Sequence, residues 1–291
     1  MQTHIVTTVD ELERLKPEWQ SLHARDPWAT FYVGYPCVHA WVTAFVGQEA
    51  TELRIITARH NGELVGIAPL CLRTERVKGG DRRALRWASH GDYLTFLVDP
   101  ASPASTVVKS LLSTMKDTVA ADVVSLGNIP AAGSLAATLF ASPDNHRFTL
   151  HVESPIIDLT GYQDFADFES TAVPAKTRKY RNKLLREHDV RWQVFPGSDA
   201  SVLSRMGELH IREKQHLAGE QGRGERHSLF EDEARRAHVA QLYVPGGDAI
   251  TFAYTDADGA FLAYRSCYVH RRTLLSWNSA YAPELSDYRL G

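Results

Sequence analysis

Leu53-Arg-Ile-Ile-Thr-Ala-Arg-His60, Asn61-Gly62 and Glu63-Leu-Val-Gly-Ile-Ala-Pro-Leu70 form one continuous stretch. The first and last segments are rich in β-branched and apolar residues. The Asn-Gly pair between them suits a turn in which both central residues take positive φ. The stretch therefore predicts a β-hairpin, Leu53–His60 against Glu63–Leu70, and an antiparallel sheet around it.

Working toward the N-terminus, Thr3–Thr7 reads as a short strand. Thr8 and Glu11 make a Thr-x-x-Glu capping box that starts a helix. Val9, Leu12, Leu15, Trp19 and Leu22 recur at three- and four-residue steps and predict one buried face. Pro17 lies within that run and predicts a kink or break. A second helix is expected over Pro36–Val46. Beyond the hairpin, strands are expected at Ala84–Ala88, Tyr93–Val98, Asp122–Leu126 (buried) and Arg147–Val152, with helices at Pro103–Val119 and Ala131–Phe140.

The second half repeats this order. A crossover strand is expected at Ile156–Leu159, a helix near Tyr162–Ser170, and a basic helix from Pro174 to His188. A strand follows at Val190–Phe195, then a helix from Asp199 or Ser201 to Leu217. A Gly-rich loop, Gly219–Gly224, and a helix over Leu229–Tyr243 come next. Strands are expected at Asp248–Thr255, Ala260–Val269 and Thr273–Ala280, with turns at Asp256–Gly259 and His270–Arg272. Asn61-Gly62 and Asp258-Gly259 hold the same place in the two halves. The expected architecture is α/β with mixed sheets, in two tandem domains over 1–155 and 156–291.

The 291 residues are 44% hydrophobic and 23% charged, enough apolar side chain to order a globular chain. Thirty-two Lys and Arg stand against 35 Asp and Glu, a net charge of −3, which gives no global pull toward DNA or an anionic membrane. The start, Met1-Gln2-Thr3-His4-Ile5, has neither a basic nor an apolar signal region, and no window approaches a membrane span. Cys37, Cys71 and Cys267 are widely spaced among apolar neighbours, which predicts buried thiols in a reducing cytoplasm. No HExxH or paired-ligand spacing occurs, so no metal is expected. No GxSxG, P-loop or strand-following GxGxxG occurs either, which removes the common hydrolase, NTPase and Rossmann readings.

Three local patterns carry chemistry. His90-Gly91-Asp92-Tyr93 gathers a base, an acid and a phenol; it reads as a general-base turn or as a turn capped by Asp92. Lys176, Arg178, Lys179, Arg181, Lys183 and Arg186 are six cations with no acid before Glu187. They read as a solvated linker helix with Tyr180, Leu184 and His188 as its packing stripe, or as a contact for phosphates or an anionic acceptor. Gly219-Glu-Gln-Gly222-Arg-Gly224 follows a helix rather than a strand and reads as a loop between helices or as a lid.

Five segments, in order, resemble one family: Leu15-Lys-Pro-Glu-Trp19-Gln-Ser-Leu22, Gly62–Leu70, Gly91-Asp92-Tyr93, Arg178–Arg186 and Ser276-Trp-Asn-Ser-Ala-Tyr281. They are similar to the CelD-like acetyltransferases, associated with cellulose and exopolysaccharide biosynthesis. Those are relatives of the FemABX-like proteins, which carry two Gcn5-related N-acetyltransferase (GNAT) folds in tandem. The resemblance implies acyl transfer from acyl-CoA, acetyl-CoA foremost, to an amine or hydroxyl of a small-molecule or sugar acceptor. It implies an acceptor pocket between the halves, lined by Asp92, Tyr93, Asn278 and Tyr281. The acyl-CoA is expected against Trp277, Ser279 and Ala280, where strand N–H groups meet the thioester oxygen, and against Arg178 and Gly291.

In the first half the turn equivalent to the family's pyrophosphate loop is Asp99-Pro-Ala-Ser-Pro103, with no Gly and two prolines that lack a donor N–H. That half is expected to be degenerate for CoA. The second half stops soon after its fourth strand, which leads us to expect an incomplete second domain with its cofactor-binding half missing, either a fragment of a longer protein or one closed by a second copy in a homodimer. A FemABX-like transferase using aminoacyl-tRNA, or a non-catalytic accessory module of polysaccharide assembly, would share these features.

Overall fold

The computed structural model describes residues 1–48, 50–142, 147–149, 152–197, 199–222, 225 and 227–290. The chain folds as two compact units. Unit 1 is Met1–His151 together with Ala237–Leu242, and unit 2 is Val152–Arg236 together with Tyr243–Gly291.

Unit 1 opens with β1 (Gln2–Val6) and α1 (Val9–Arg25). The capping box forms as the sequence suggests: Thr8 Oγ1 accepts the Glu11 N–H and the Glu11 carboxylate accepts the Thr8 N–H. Leu12, Leu15, Trp19 and Leu22 are buried, whereas Val9 is exposed. Pro17 does not interrupt the helix. A helical proline costs about 3 kcal/mol, and four buried side chains at about 1.5–3 kcal/mol each outweigh it. The Trp19 indole N–H also donates to the Val33 carbonyl, 3.0 Å away.

Next come α2 (Tyr35–Phe45), β2 (Thr51–Leu53), β3 (Ile55–His60) and β4 (Glu63–Ala68). Asn61 and Gly62 take φ of 50° and 86°, the two left-handed positions of the expected hairpin turn. Then follow β5 (Leu70–Val77), β6 (Gly80–Trp87), β7 (Leu97–Val98), α3 (Ala104–Thr118), β8 (Val123–Val124) and α4 (Ser134–Phe140). One sheet has the order β1-β3-β4-β7, all antiparallel, and α3 and α1 pack on it. A second has the order β2-β5-β6-β8, with β6–β8 its parallel pair.

Several expectations change here. The β5–β6 hairpin turns through Lys78-Gly79, and its strands are rich in Arg and Glu, so it has no apolar alternation to reveal it. Tyr93–Val98 shrinks to Leu97–Val98, and Asp122–Leu126 to Val123–Val124, with Val124 exposed. Of Arg147–Val152, residues 147–149 and 152 are not strand, and 150 and 151 lie outside the described residues.

Unit 2 contains α5 (Phe165–Thr171), α6 (Ala175–Glu187), β9 (Arg191–Pro196), α7 (Ala200–Gln221), the first turn of α8 (Glu233–Leu242), β10 (Ala249–Thr255), β11 (Phe261–His270) and β12 (Thr273–Tyr281). Its sheet runs β9-β10-β11-β12, all antiparallel, with α7 on β11 and β12. This sheet and β1-β3-β4-β7 share one topology, each with its Gly-containing hairpin between the two inner strands. Both are antiparallel where mixed sheets were expected; among the described residues the parallel pairing is confined to β6–β8.

Ile156–Leu159 is not a strand, and Ile156, Ile157 and Leu159 are exposed. An apolar run becomes a strand only where a neighbour takes its N–H and C=O groups. Of the expected Gly219–Gly224 loop, residues 219–221 are helix: α7 continues to Gln221 and is capped by Gly222 in the left-handed region, while Arg223 and Gly224 lie outside the described residues.

Candidate functional site

Strand β12 is the outer strand of its sheet, so one row of its backbone groups is not taken up by a neighbouring strand. Its register against β11 passes from Ser266–Asn278 to Cys267–Ser276, leaving Trp277 as a one-residue bulge. A bulge bends the strand and re-aims the residues beside it. The Ala282 N–H donates to the Leu262 carbonyl at 2.7 Å, so by antiparallel alternation the Tyr281 N–H points the other way. It meets Oε1 of Glu213, on α7, at 3.4 Å.

Glu213 is buried, 7% exposed, and its Oε2 pairs with Lys214 Nζ at 2.6 Å. One turn earlier on the same face stands His210, 4% exposed. His210 Nδ1 is 2.8 Å from Ser228 Oγ, and its Nε2 is 3.4 Å from the Asn278 amide nitrogen. Tyr264, on β11, donates its O–H to Asn278 Oδ1. An amide nitrogen only donates, so Nε2 is the acceptor and Nδ1–H donates to Ser228. The chain Tyr264–Asn278–His210–Ser228 thus runs in one direction.

Burial, with the Lys214 ammonium close by, lowers the His210 pKa to about 4, so the ring is neutral at pH 7. Burial, followed by Tyr243 and Glu213, pushes the Tyr264 phenol well above its ordinary value. The same α7 face continues into the core through Val202, Met206 and Leu209. Two polar residues three apart on this apolar stripe are the signal that would have found His210 and Glu213; Ser228 and Tyr264 carry no such mark.

Of the residues expected from sequence, Trp277, Asn278, Ser279, Ala280 and Tyr281 stand together on the bulged end of β12, with Ala280 buried. Gly291 lies outside the described residues. Arg178, on α6, donates to the Glu169 and Ser170 carbonyls at 2.7 and 3.3 Å and so caps the C-terminal end of α5. Arg181 pairs with Glu169, Lys183 and Arg186 with Glu187, and Lys176 lies over the Tyr180 ring.

Asp92 and Tyr93 belong to unit 1. Asp92 is exposed, and the Tyr93 carbonyl accepts from Thr30 Oγ1 at 2.6 Å. Gly91 lies against Tyr32, where a Cβ would fall 2.2 Å from the ring, and its carbonyl accepts from Asn128 Nδ2 at 2.8 Å. His90 packs edge-on against Phe45, Trp41 and His238. In the Asp99–Pro103 turn the Asp99 carboxylate takes the Ala101 N–H at 2.9 Å and pairs with Arg25 at 2.7 Å. A built-in anion therefore occupies a donor that a phosphate would need.

Among the described residues no three His, Cys, Asp or Glu side chains are grouped to hold a metal ion, and no helix is long and apolar enough to cross a membrane. Residues 173–291 match the acetyltransferase (GNAT) domain family. A crystal structure of FemX superposes with a TM-score of 0.61 at 12% identity, covering 100% of this chain and 83% of that one. A tandem GNAT protein from the clavulanic acid biosynthesis pathway gives 0.39 at 15% identity, over 97% and 80%. A ribosomal-protein-alanine N-acetyltransferase from Brucella melitensis biovar Abortus 2308 gives 0.32 at 17% identity, over 52% and 100%. No curated protein matches the chain at a significant level. The chain has a mixed α/β fold of the tandem GNAT kind, and its residues 173–291 carry the match to the GNAT acetyltransferase domain.

Proposed function

We propose that the protein is an acyltransferase that takes its acyl group from acyl-CoA, acetyl-CoA foremost, and works at the bulged end of β12. The observation that carries this reading is the Tyr281 N–H, turned off the sheet edge beside a buried carboxylate within the segment that matches the GNAT domain. Acyl-CoA supplies an activated acyl group and an amide-bearing arm, and the outer edge of β12 offers that arm backbone partners. Tyr281 N–H, with Ser279 N–H two residues earlier, is the donor set proposed for the charge that develops on the acyl oxygen. Trp277 and Ala280 shape the edge, and Asn278 fixes the neutral His210 ring behind it.

The acceptor is a small molecule or sugar bearing an amine or hydroxyl. The CelD-like resemblance and its link to polysaccharide biosynthesis belong to the same proposal. Aminoacyl-tRNA as donor is the competing reading. It is disfavoured by α6, where five of the six expected cations are engaged within unit 2.

Calorimetry with acetyl-CoA, and thiol release in the presence of acceptor amines, test the reading. Saturable binding that weakens at least tenfold in Tyr281→Pro, which deletes the N–H, is the expected result. Absence of acetyl-CoA binding by the unaltered chain overturns it.

A further inference from the structure

We propose that unit 1 carries a binding site of its own, a cradle for a phosphate monoester formed by Arg73, Arg82 and Arg86 on one face of the β5–β6 hairpin. It belongs to a different sheet from β12 and does not depend on the acyl-transfer reading.

The strand register builds the cradle. Cys71 stands opposite Arg86, Arg73 opposite Ala84, and Glu75 opposite Arg82. Directly opposed residues share a face, and so do residues two apart along a strand. Arg73, Glu75, Arg82 and Arg86 therefore project from one face, and all four are half-buried. Ala84 lies between Arg82 and Arg86 and faces Arg73, so the centre of the three arginines is occupied by a methyl group. Burial pushes the Cys71 thiol up to about 12, and the charges of Arg73 and Arg86 both oppose it, which puts the two cations around one residue.

The carboxylate on this face does not balance the arginines. Arg86 holds Glu75 through Nε at 2.8 Å and Nη2 at 3.1 Å, and Arg82 holds it through Nη2 at 2.8 Å. The remaining Arg86 group, Nη1, donates to Ser125 Oγ at 2.5 Å. Three arginines against one glutamate leave two positive charges in excess. Two donors are also unmet. The Arg82 Nε–H is buried without a hydrogen-bond partner, and the Arg73 guanidinium has neither a hydrogen bond nor an ion pair, among the described residues. A buried donor without an acceptor is costly, and an incoming oxygen would remove that cost. On the opposite face of the same hairpin each arginine has its carboxylate: Arg76 pairs with Asp81 at 2.7 Å and Arg83 with Glu52 at 3.4 Å. The surplus is thus confined to one face.

The class of ligand follows from charge and shape. Guanidinium forks match the paired oxygens of phosphate and keep their charge at any ordinary pH. A phosphate monoester carries about −1.5 to −2 at pH 7 and three strong acceptor oxygens. It can cancel the excess and meet Arg73 and Arg82 together. A sulfate ester or a phosphodiester carries one negative charge and leaves one cation uncompensated. The ligand is therefore a terminal phosphate, borne by a small molecule or by a lipid headgroup.

The test is calorimetry of the full chain with glucose 6-phosphate and glucose 6-sulfate, at low ionic strength, where exposed charges are least screened. The phosphate should bind saturably and at least tenfold more tightly than the sulfate. Arg73→Gln should weaken that binding at least tenfold and leave Tm near the unaltered value, since Arg73 has no internal partner to lose. Arg73→Lys, which keeps the charge without the fork, should fall between the two. Arg76→Gln, on the opposite face, is the control and should stay within twofold. A second arm, sedimentation with phosphatidylcholine vesicles with and without phosphatidic acid, separates a lipid-borne phosphate from a free one. Binding that depends on Arg73 in either arm supports the site and names its source.

The proposal is overturned if neither monoester binds, if the sulfate binds as tightly as the phosphate, or if Arg73→Gln binds as the unaltered chain does. Failure of the chain to bind acetyl-CoA bears on the acyl-transfer reading and leaves this site untouched.

Discussion

The Asn278 side-chain amide and the His210 imidazole meet at 3.4 Å, strand β12 against helix α7, and this contact decides which ring nitrogen of His210 carries the proton. The amide donates to Nε2, and burial keeps the ring neutral with a pKa of about 4. Asn278→Asp replaces the donor by a carboxylate, which favours the imidazolium. We expect the His210 pKa to rise by more than one unit, read by NMR titration of the ring nitrogens. A value still near 4 would show that the two groups do not couple.

Stability should fall in mild acid. Burial, aided by His90, lowers the His238 pKa to about 4, as burial and Lys214 do for His210. The unfolded chain, with histidines near 6.5, therefore binds more protons between pH 6.5 and 4. The contribution of each is complete above pH 6.5 and drains away as pH falls toward 4. Asp99 has the opposite origin and a lower window. Although burial opposes it, the Ala101 N–H and Arg25 hold its pKa down, and that contribution is lost only as pH falls below the ordinary carboxylate range. His238→Leu should flatten the unit 1 part of the slope in thermal melts at pH 7, 6 and 5. His238 Nε2 has no hydrogen-bond partner among the described residues, so the swap breaks no bond there, although it gives up the ring contacts with Phe45 and His90.

The Gly91 turn is set by contact with Tyr32. Gly91→Ala puts a Cβ 2.2 Å from the Tyr32 ring, so backbone or ring must move. Such overpacking costs roughly 1–3 kcal/mol, or about 2–4 °C in Tm per kcal/mol for a unit of this size. Gly127→Ala, where a Cβ meets nothing within 4 Å, is the control and should leave Tm near the unaltered value. Equal melting of the two variants would refute the steric account.

What the sequence revealed depended on how local the cause was. The Thr8–Glu11 box and the Asn61-Gly62 turn need only neighbours three or fewer residues apart, and both form. In the Asp99 turn the two prolines without a donor N–H were legible; that the Asp99 carboxylate takes the Ala101 N–H was not. Ile156–Leu159 misled because apolar character predicts a strand only when a partner exists. Asn278 and Tyr281 were reached through resemblance. Glu213 and His210 lie 68 residues from the strand groups they meet, and only the fold brings them there.

The basic helix offers the last discrimination. Each cation that neutralises a single-stranded phosphate contributes about 0.7 to the slope of log K against log salt, and about 0.9 on a duplex. On α6, Arg178 caps α5, Arg181 pairs with Glu169, Lys183 and Arg186 share Glu187, and Lys176 covers Tyr180, while Lys179 is exposed. One or two cations released for phosphate contact give a slope no steeper than about −2. Binding of aminoacylated tRNA between 50 and 200 mM salt should therefore be weak and shallow, and Lys179→Glu should not alter acetyl-CoA affinity more than twofold. A slope of about −4 or steeper, abolished by charge reversal at Arg178, Lys179 and Arg181, would mean that the internal pairs open for RNA. It would move the donor from acyl-CoA to aminoacyl-tRNA.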